Sequence, residues 1–343
     1  GQGLGAPRAH VMRRAATGPF MVDGRGSVQL AIYRFSLRAA TPITFPSFPG
    51  IALRGGFGKV FFDMTCASPG PCSARGCQQP NCCPYAQVFE PRSERYRRFR
   101  DLPRPFVFRP RFGPGRYAAG ATLEFDLVLV GWTRRILPWF VVAFQELGER
   151  GVGDRPPRSR FGRFTIASVS GIGPGGRSRS VYTSQENVLR PEEFPWRFPQ
   201  DFGVDEPATG GSGFRIRFET PTQLVRGGDP RGDLSFRVLV DRLLMRVSLL
   251  SQAYDEGPAL GRAEEARLKA LATDVTLDDG AVNWATVHRY STRQNRRMRF
   301  EGWIGDVAYC GDPGPFLPLL RLGEMIGVGK HAAFGFGAVH LIA

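Results

Sequence analysis

Four glycines, Gly327, Gly329, Gly335 and Gly337, punctuate the segment before the last apolar run, and Lys330 and His331 stand in their midst. Glycine leaves the backbone amide unshielded, so such a loop lets N–H groups close on a phosphate. Lysine adds a cation beside that group, and an imidazole moves a proton near neutral pH. A tight turn between a helix and an edge strand has the same composition. A second basic cluster gathers His288, Arg289, Arg293, Arg296 and Arg297. Arg54 and Lys59 occupy a third position, the run Leu53-Arg54-Gly55-Gly56-Phe57-Gly58-Lys59.

Arginine carries nearly all the positive charge, and the chain has three lysines, Lys59, Lys269 and Lys330. A guanidinium holds charge against a phosphate but does not give up its proton, whereas a lysine does so once burial or neighbouring cations lower its pKa. Lys59 is therefore expected in catalysis and Lys330 on a phosphate; chance placement is the plain alternative. His331 has the best context for proton transfer; His288 is also a catalytic candidate and faces either the core or RNA, while His10 falls in the tail and His340 in the final strand, as a structural residue. The formal net charge of +15 over 343 residues favours a polyanionic partner, because each neutralised phosphate releases counterions. Rings interleave with the basic residues at Tyr96, Phe99, Phe161, Phe164, Trp284, Tyr290 and Trp303, which suits unpaired nucleic acid.

Five of the six cysteines crowd into Cys66, Cys72, Cys77, Cys82 and Cys83. The crowding suits a structural zinc on Cys66, Cys72, Cys77 and Cys83, although the paired CxxC knuckles are missing. Disulfides and plain thiols are the alternatives. The apolar runs are too short for a membrane span, and residues 1–27 lack the continuous apolar stretch of a secretory signal, so the expected setting is the cytoplasm.

Alternation of apolar and polar residues marks strands at 28–38, 121–131, 161–169, 213–219, 281–289 and 297–309. Helical patterns fall at 51–64, 134–149, 233–254, 261–272 and 316–325. Each half thus interleaves strands with helices, and the expected fold is α+β with two ferredoxin-like βαββαβ domains in tandem. The boundaries are a tail over 1–27, an N-terminal domain over 28–170 with a cysteine-rich insertion at 66–90, a linker over 171–211 and a C-terminal domain over 212–343.

The segment Gly323-Glu324-Met325-Ile326-Gly327-Val328-Gly329-Lys330-His331-Ala332-Ala333-Phe334-Gly335-Phe336-Gly337 resembles the glycine-rich loop of Cas6 proteins. Arg289-Tyr290-Ser291-Thr292-Arg293-Gln294, Gly302 to Val307, Pro315 to Gly323, Leu53 to Gly58 and Cys83 to Glu90 are similar to one large Cas6 subgroup. The resemblance implies RAMP architecture, in which two ferredoxin-like domains bind the repeat of a CRISPR transcript. It further implies metal-independent cleavage, in which the 2′-OH attacks the adjacent phosphate and leaves a 2′,3′-cyclic phosphate and a 5′-OH. The RNA-binding residues it implies are Arg54, Arg289, Arg293, Arg296, Arg297, Gly327, Gly329, Lys330, Gly335 and Gly337. The chain departs from that subgroup where relatives often carry histidine, with Lys59 in the early segment and Gly327 in the loop. A non-cleaving subunit that holds crRNA beside other Cas effector subunits is the alternative.

Overall fold

The computed structural model describes residues 27–66, 83–91, 102–154, 161–190, 194–203, 213–225, 227–229, 231–255, 257–291 and 296–342. The N-terminal domain runs β1 (Val28–Ala39), β2 (Ile43–Phe45), α1 (Pro49–Thr65), α2 (Pro84–Phe89), β3 (Phe106–Pro110), β4 (Gly115–Tyr117), β5 (Thr122–Val130), α3 (Leu137–Arg150) and β6 (Phe164–Ile172). Then come β7 (Ser178–Thr183) and β8 (Trp196–Phe198). Its main sheet has the order β3-β5-β1-β6-β7, with β8 added beside the start of β1. Without β7 and β8 this is the antiparallel βαββαβ arrangement that the alternation predicts.

Along β1 the side chains alternate between two apolar environments. Tyr33, Phe35 and Leu37 face α1 and α3, where phenylalanine dominates the packing. The ring of Phe57 on α1 lies 4.9 to 6.3 Å from those of Phe61, Phe89, Phe106, Phe108, Phe140 and Phe144. Such spacing is normal for tilted and stacked rings, and it fixes α1 on the sheet. Val28, Leu30 and Ile32 point the other way, into the second core.

The C-terminal domain runs β9 (Gly213–Thr222), α4 (Phe236–Tyr254), α5 (Arg262–Leu271), β10 (Thr276–Ser291), β11 (Arg296–Cys310), α6 (Leu317–Ile326) and β12 (Val339–Ile342). Its sheet order is β10-β11-β9-β12, again the ferredoxin-like pattern. Phe214, Ile216 and Phe218 of β9 turn inward, while Arg215, Arg217 and Glu219 between them are exposed. The inward residues join Leu239, Leu243 and Leu250 of α4, Leu319 and Leu322 of α6, and Val28, Leu30, Val107, Val128 and Val130 of the first sheet. One apolar core therefore spans both domains.

Two features differ from the expected layout. The stretch 171–211 carries the end of β6, then β7 and β8, and all three pair within the first sheet. Its glycines and prolines turn the chain between short strands. The hairpin β10–β11 is also longer than the alternation suggested and keeps register from Asp279↔Ala308 to Ser291↔Arg296. Since β9 pairs with β11 only as far as Trp303↔Thr222, the distal half of the hairpin extends past the third strand.

Candidate functional site

The glycine-rich loop follows α6, and every one of its expected glycines has positive φ: Gly327 72°, Gly329 75°, Gly335 82° and Gly337 70°. His331 also lies in the left-handed region, at 65°. Backbone crowding accounts for the glycines. A Cβ on Gly337 would sit 1.9 Å from the Val328 carbonyl oxygen, and one on Gly329 2.3 Å from that of Gln223. On Gly335 it would be 2.8 Å from the Phe108 oxygen. The loop thus folds on itself and wedges between β3 of one domain and the end of β9 of the other.

Several loop amides are used internally. Val328 N–H donates to Gly337 O at 2.8 Å, Gly337 N–H to Pro221 O at 3.1 Å, and Phe334 N–H to His331 O at 2.9 Å. Among the described residues, the amides of Gly329 and Lys330 have no such partner. They fall where the sign of φ alternates from residue to residue over 327–331. The Lys330 side chain is exposed.

Helix α1 meets this loop end on. A Cβ on Gly50 would lie 2.2 Å from Phe334 O, and one on Gly55 2.3 Å from a terminal nitrogen of Arg289. The Arg54 guanidinium is layered between Phe89, at 4.7 Å, and Phe334, at 4.6 Å, and Arg289 lies 5.4 Å from the same Phe334 ring. Burial lowers the pKa of Arg289, but a guanidinium remains charged at neutral pH. The imidazole of His331 stands edge-on to Phe300 at 4.8 Å, beside the apolar cluster of Ile51, Phe300 and Phe336. The structure thus gathers Arg54, Arg289, Gly327, Gly329, Lys330, His331, Gly335 and Gly337 at one seam between the domains.

Other expected residues stand apart. His288 is adjacent to Arg289 in sequence, so strand alternation sends it to the opposite face of the hairpin, where it is exposed across from Arg299. Arg297 shares that outer face. The side chain of Arg296 and all of Arg293 lie outside the described residues. Lys59 is one helical turn beyond Gly55 on α1, about 6 Å along the axis. It pairs with Asp63, which also receives Arg150 of α3 at 2.6 Å. Cys66 ends α1 and Cys83 precedes α2, and these helices pack through Phe62 and Tyr85, ring centroids 5.0 Å apart. Cys72, Cys77 and Cys82 lie outside the described residues.

Burial would raise the Asp63 pKa, but hydrogen bonds from Lys59 and Arg150 outweigh it and hold the carboxyl below its ordinary value. The folded-state pKa is depressed, so the stabilisation is present above the unfolded value and is lost as pH falls through the folded one. Asp63→Asn is expected to lower stability at pH 7 by no more than about 1 kcal/mol, as for an exposed ion pair. Thermal melts of both forms should converge as the pH falls below the ordinary carboxylate range.

Sequence reasoning missed Arg246. It lies on α4 with 7% of its surface exposed and donates to the carbonyl of Ile326, the residue before Gly327, at 3.1 Å. Among the described residues no carboxylate pairs it, and one terminal nitrogen lacks a hydrogen-bond partner. Burial pushes its pKa down to about 10, so it carries charge at neutral pH and caps the negative end of α6. Phe89 and Phe334 were also missed, because nothing in a sequence distinguishes a ring that layers against arginine from a core phenylalanine.

Residues 216–339 match the family described as "CRISPR-associated endoribonuclease Cas6", and residues 28–194 match a family described as an N-terminal domain. An uncharacterized Archaeoglobus fulgidus protein is 25% identical over 321 residues, covering 91% of this chain and 98% of its own. A Thermus thermophilus Cas6 has TM-score 0.50 at 16% identity, covering 92% of this chain and 99% of the other. A chain of a partial Cas6-RT-Cas1–Cas2 complex has TM-score 0.54 at 12% identity, covering 92% of this chain and 46% of the other. The tandem ferredoxin-like fold is the one these solved Cas6 structures share. The Cas6 family match falls on the C-terminal domain, residues 216–339.

Proposed function

We propose that this protein binds the repeat of a CRISPR precursor transcript and cuts it by attack of the 2′-OH on the adjacent phosphate, with no metal taking part. The observation that carries this reading is the seam itself. Two unpartnered amides at Gly329 and Lys330, with Lys330, Arg54 and Arg289 close by, suit the charge that builds on a phosphorane. His331 supplies a proton-transfer group there. The gathered groups are cationic or neutral, a set that suits phosphate and offers no carboxylate to a divalent ion. Lys59 is a second candidate for proton transfer, from the next turn of α1. His288, on the outer face, serves RNA contact better than chemistry.

The sixteen residues between Cys66 and Cys83 fit a proposed structural zinc on Cys66, Cys72, Cys77 and Cys83, since the packing of α1 on α2 gathers the two ends. Metal analysis of thiol-protected protein checks that part. A non-cleaving, crRNA-holding subunit beside other Cas proteins is the second reading, and the pairing of Lys59 with Asp63 favours it.

The test is cleavage of the cognate repeat RNA in EDTA, beside a substrate with a 2′-deoxy sugar at the cut site. Cleavage of the first and not the second is expected. Tight binding without cleavage of either selects the second reading.

A further inference from the structure

The distal hairpin β10–β11 has two unlike faces. Val287, Arg289, Met298 and Phe300 share the inner one, against the loop and α1. The outer one presents Trp284 and Trp303, directly opposed in register, then His288 with Arg299, and Arg297 nearer the tip. The indoles meet edge to face at 5.1 Å and 77°; both are half-buried, and Trp303 packs at the margin of the core. Their polar handles are tied down. Trp303 Nε1 donates to Arg231 O at 2.8 Å, and Trp284 Nε1 makes a longer contact with Glu301 at 3.3 Å. The Arg231 guanidinium lies 5.6 Å from the centre of the Trp284 ring. Arg299 neutralises Glu301.

From this we infer that the outer face of the hairpin is a stacking platform for an unpaired nucleobase of the RNA, formed by Trp284, Trp303 and Arg231 and distinct from the loop seam. The inference rests on the reading of the protein as RNA-binding. Indoles held by their N–H groups lose little freedom on binding, and planar guanidinia and rings stack on any base. Arg297, Arg299 and His288 follow along the same face, in steps of about 7 Å for alternate strand residues; Arg297 offers a cation to the sugar-phosphate chain and His288 a ring N–H. This is the face to which alternation delivers His288, and it gives that residue a role that the seam does not. The sources of specificity are then separate: the seam reads a phosphate and the hairpin a base.

The experiment uses the full chain, single-stranded oligoadenylate and cognate repeat RNA, with a blunt RNA duplex of equal length as the comparison. Tryptophan fluorescence should fall on adding either single strand and stay level with the duplex. Trp284→Leu/Trp303→Leu should abolish that quench and weaken single-strand binding at least fivefold. Trp284→Phe/Trp303→Phe should keep most of the affinity, which separates stacking from misfolding. A quench that survives the leucine pair, or an unchanged affinity in it while Lys330→Ala weakens binding, overturns the platform and leaves the RNA reading standing. Failure of the unaltered protein to bind any of the RNAs overturns both.

Discussion

His331→Asn is expected to slow cleavage of bound repeat RNA by about 10²- to 10⁴-fold, the usual range for loss of a positioned acid or base. RNA affinity should change only a few-fold, because Lys330 and the amides of Gly329 and Lys330 remain. Asparagine is the informative replacement. The residue sits at φ 65°, where asparagine is tolerated and alanine adds strain, so the change removes the imidazole and little else. Single-turnover cleavage alongside a binding titration makes the distinction. Equal losses in both would show that His331 holds RNA and does no chemistry. Unchanged cleavage would pass the role to Lys59, whose replacement by alanine is then the decisive comparison.

Gly50→Ala should reverse the usual sign of a helix substitution. In a helix, glycine to alanine ordinarily gains about 0.5 to 1 kcal/mol. At position 50 the new methyl group would stand 2.2 Å from the Phe334 carbonyl oxygen, and backbone cannot step aside as a side chain does. Either α1 or the loop must move, at a cost of about 1 to 3 kcal/mol, as in an overpacked core. RNA binding should fall with stability, because the displaced loop carries the free amides. Gly56→Ala, on the same helix, is the internal control. Its methyl group would meet Leu147 Cδ1 at 2.6 Å, the movable end of a side chain on α3. Its effect should stay near zero. Chemical denaturation of the two variants, read beside RNA titrations, tests the pair.

These sites show which information the sequence displays. Alternation over 28–38 and 213–219 revealed β1 and β9, because one face of each is buried and the other polar or shared. The loop was legible since only glycine fills backbone positions of positive φ crowded by carbonyls, so its purpose leaves a visible letter. The short strands β2, β4 and β8 were not, as three residues cannot display a period. Period two, applied strictly to β10, would have parted His288 from Arg289; reading them as one basic cluster ignored the pleat. Arg246 left no signal at all. Its partner is a main-chain oxygen eighty residues downstream, and in sequence it looks like any arginine on the polar stripe of a helix.

The glycine contacts have an evolutionary corollary. Gly329, Gly335 and Gly337 rest on the carbonyl oxygens of Gln223, Phe108 and Val328, an atom that every residue possesses. The surfaces that receive the loop can therefore exchange their side chains without losing the fit, and only the glycines are held. The sequence around the loop can drift in this way while those three positions stay glycine.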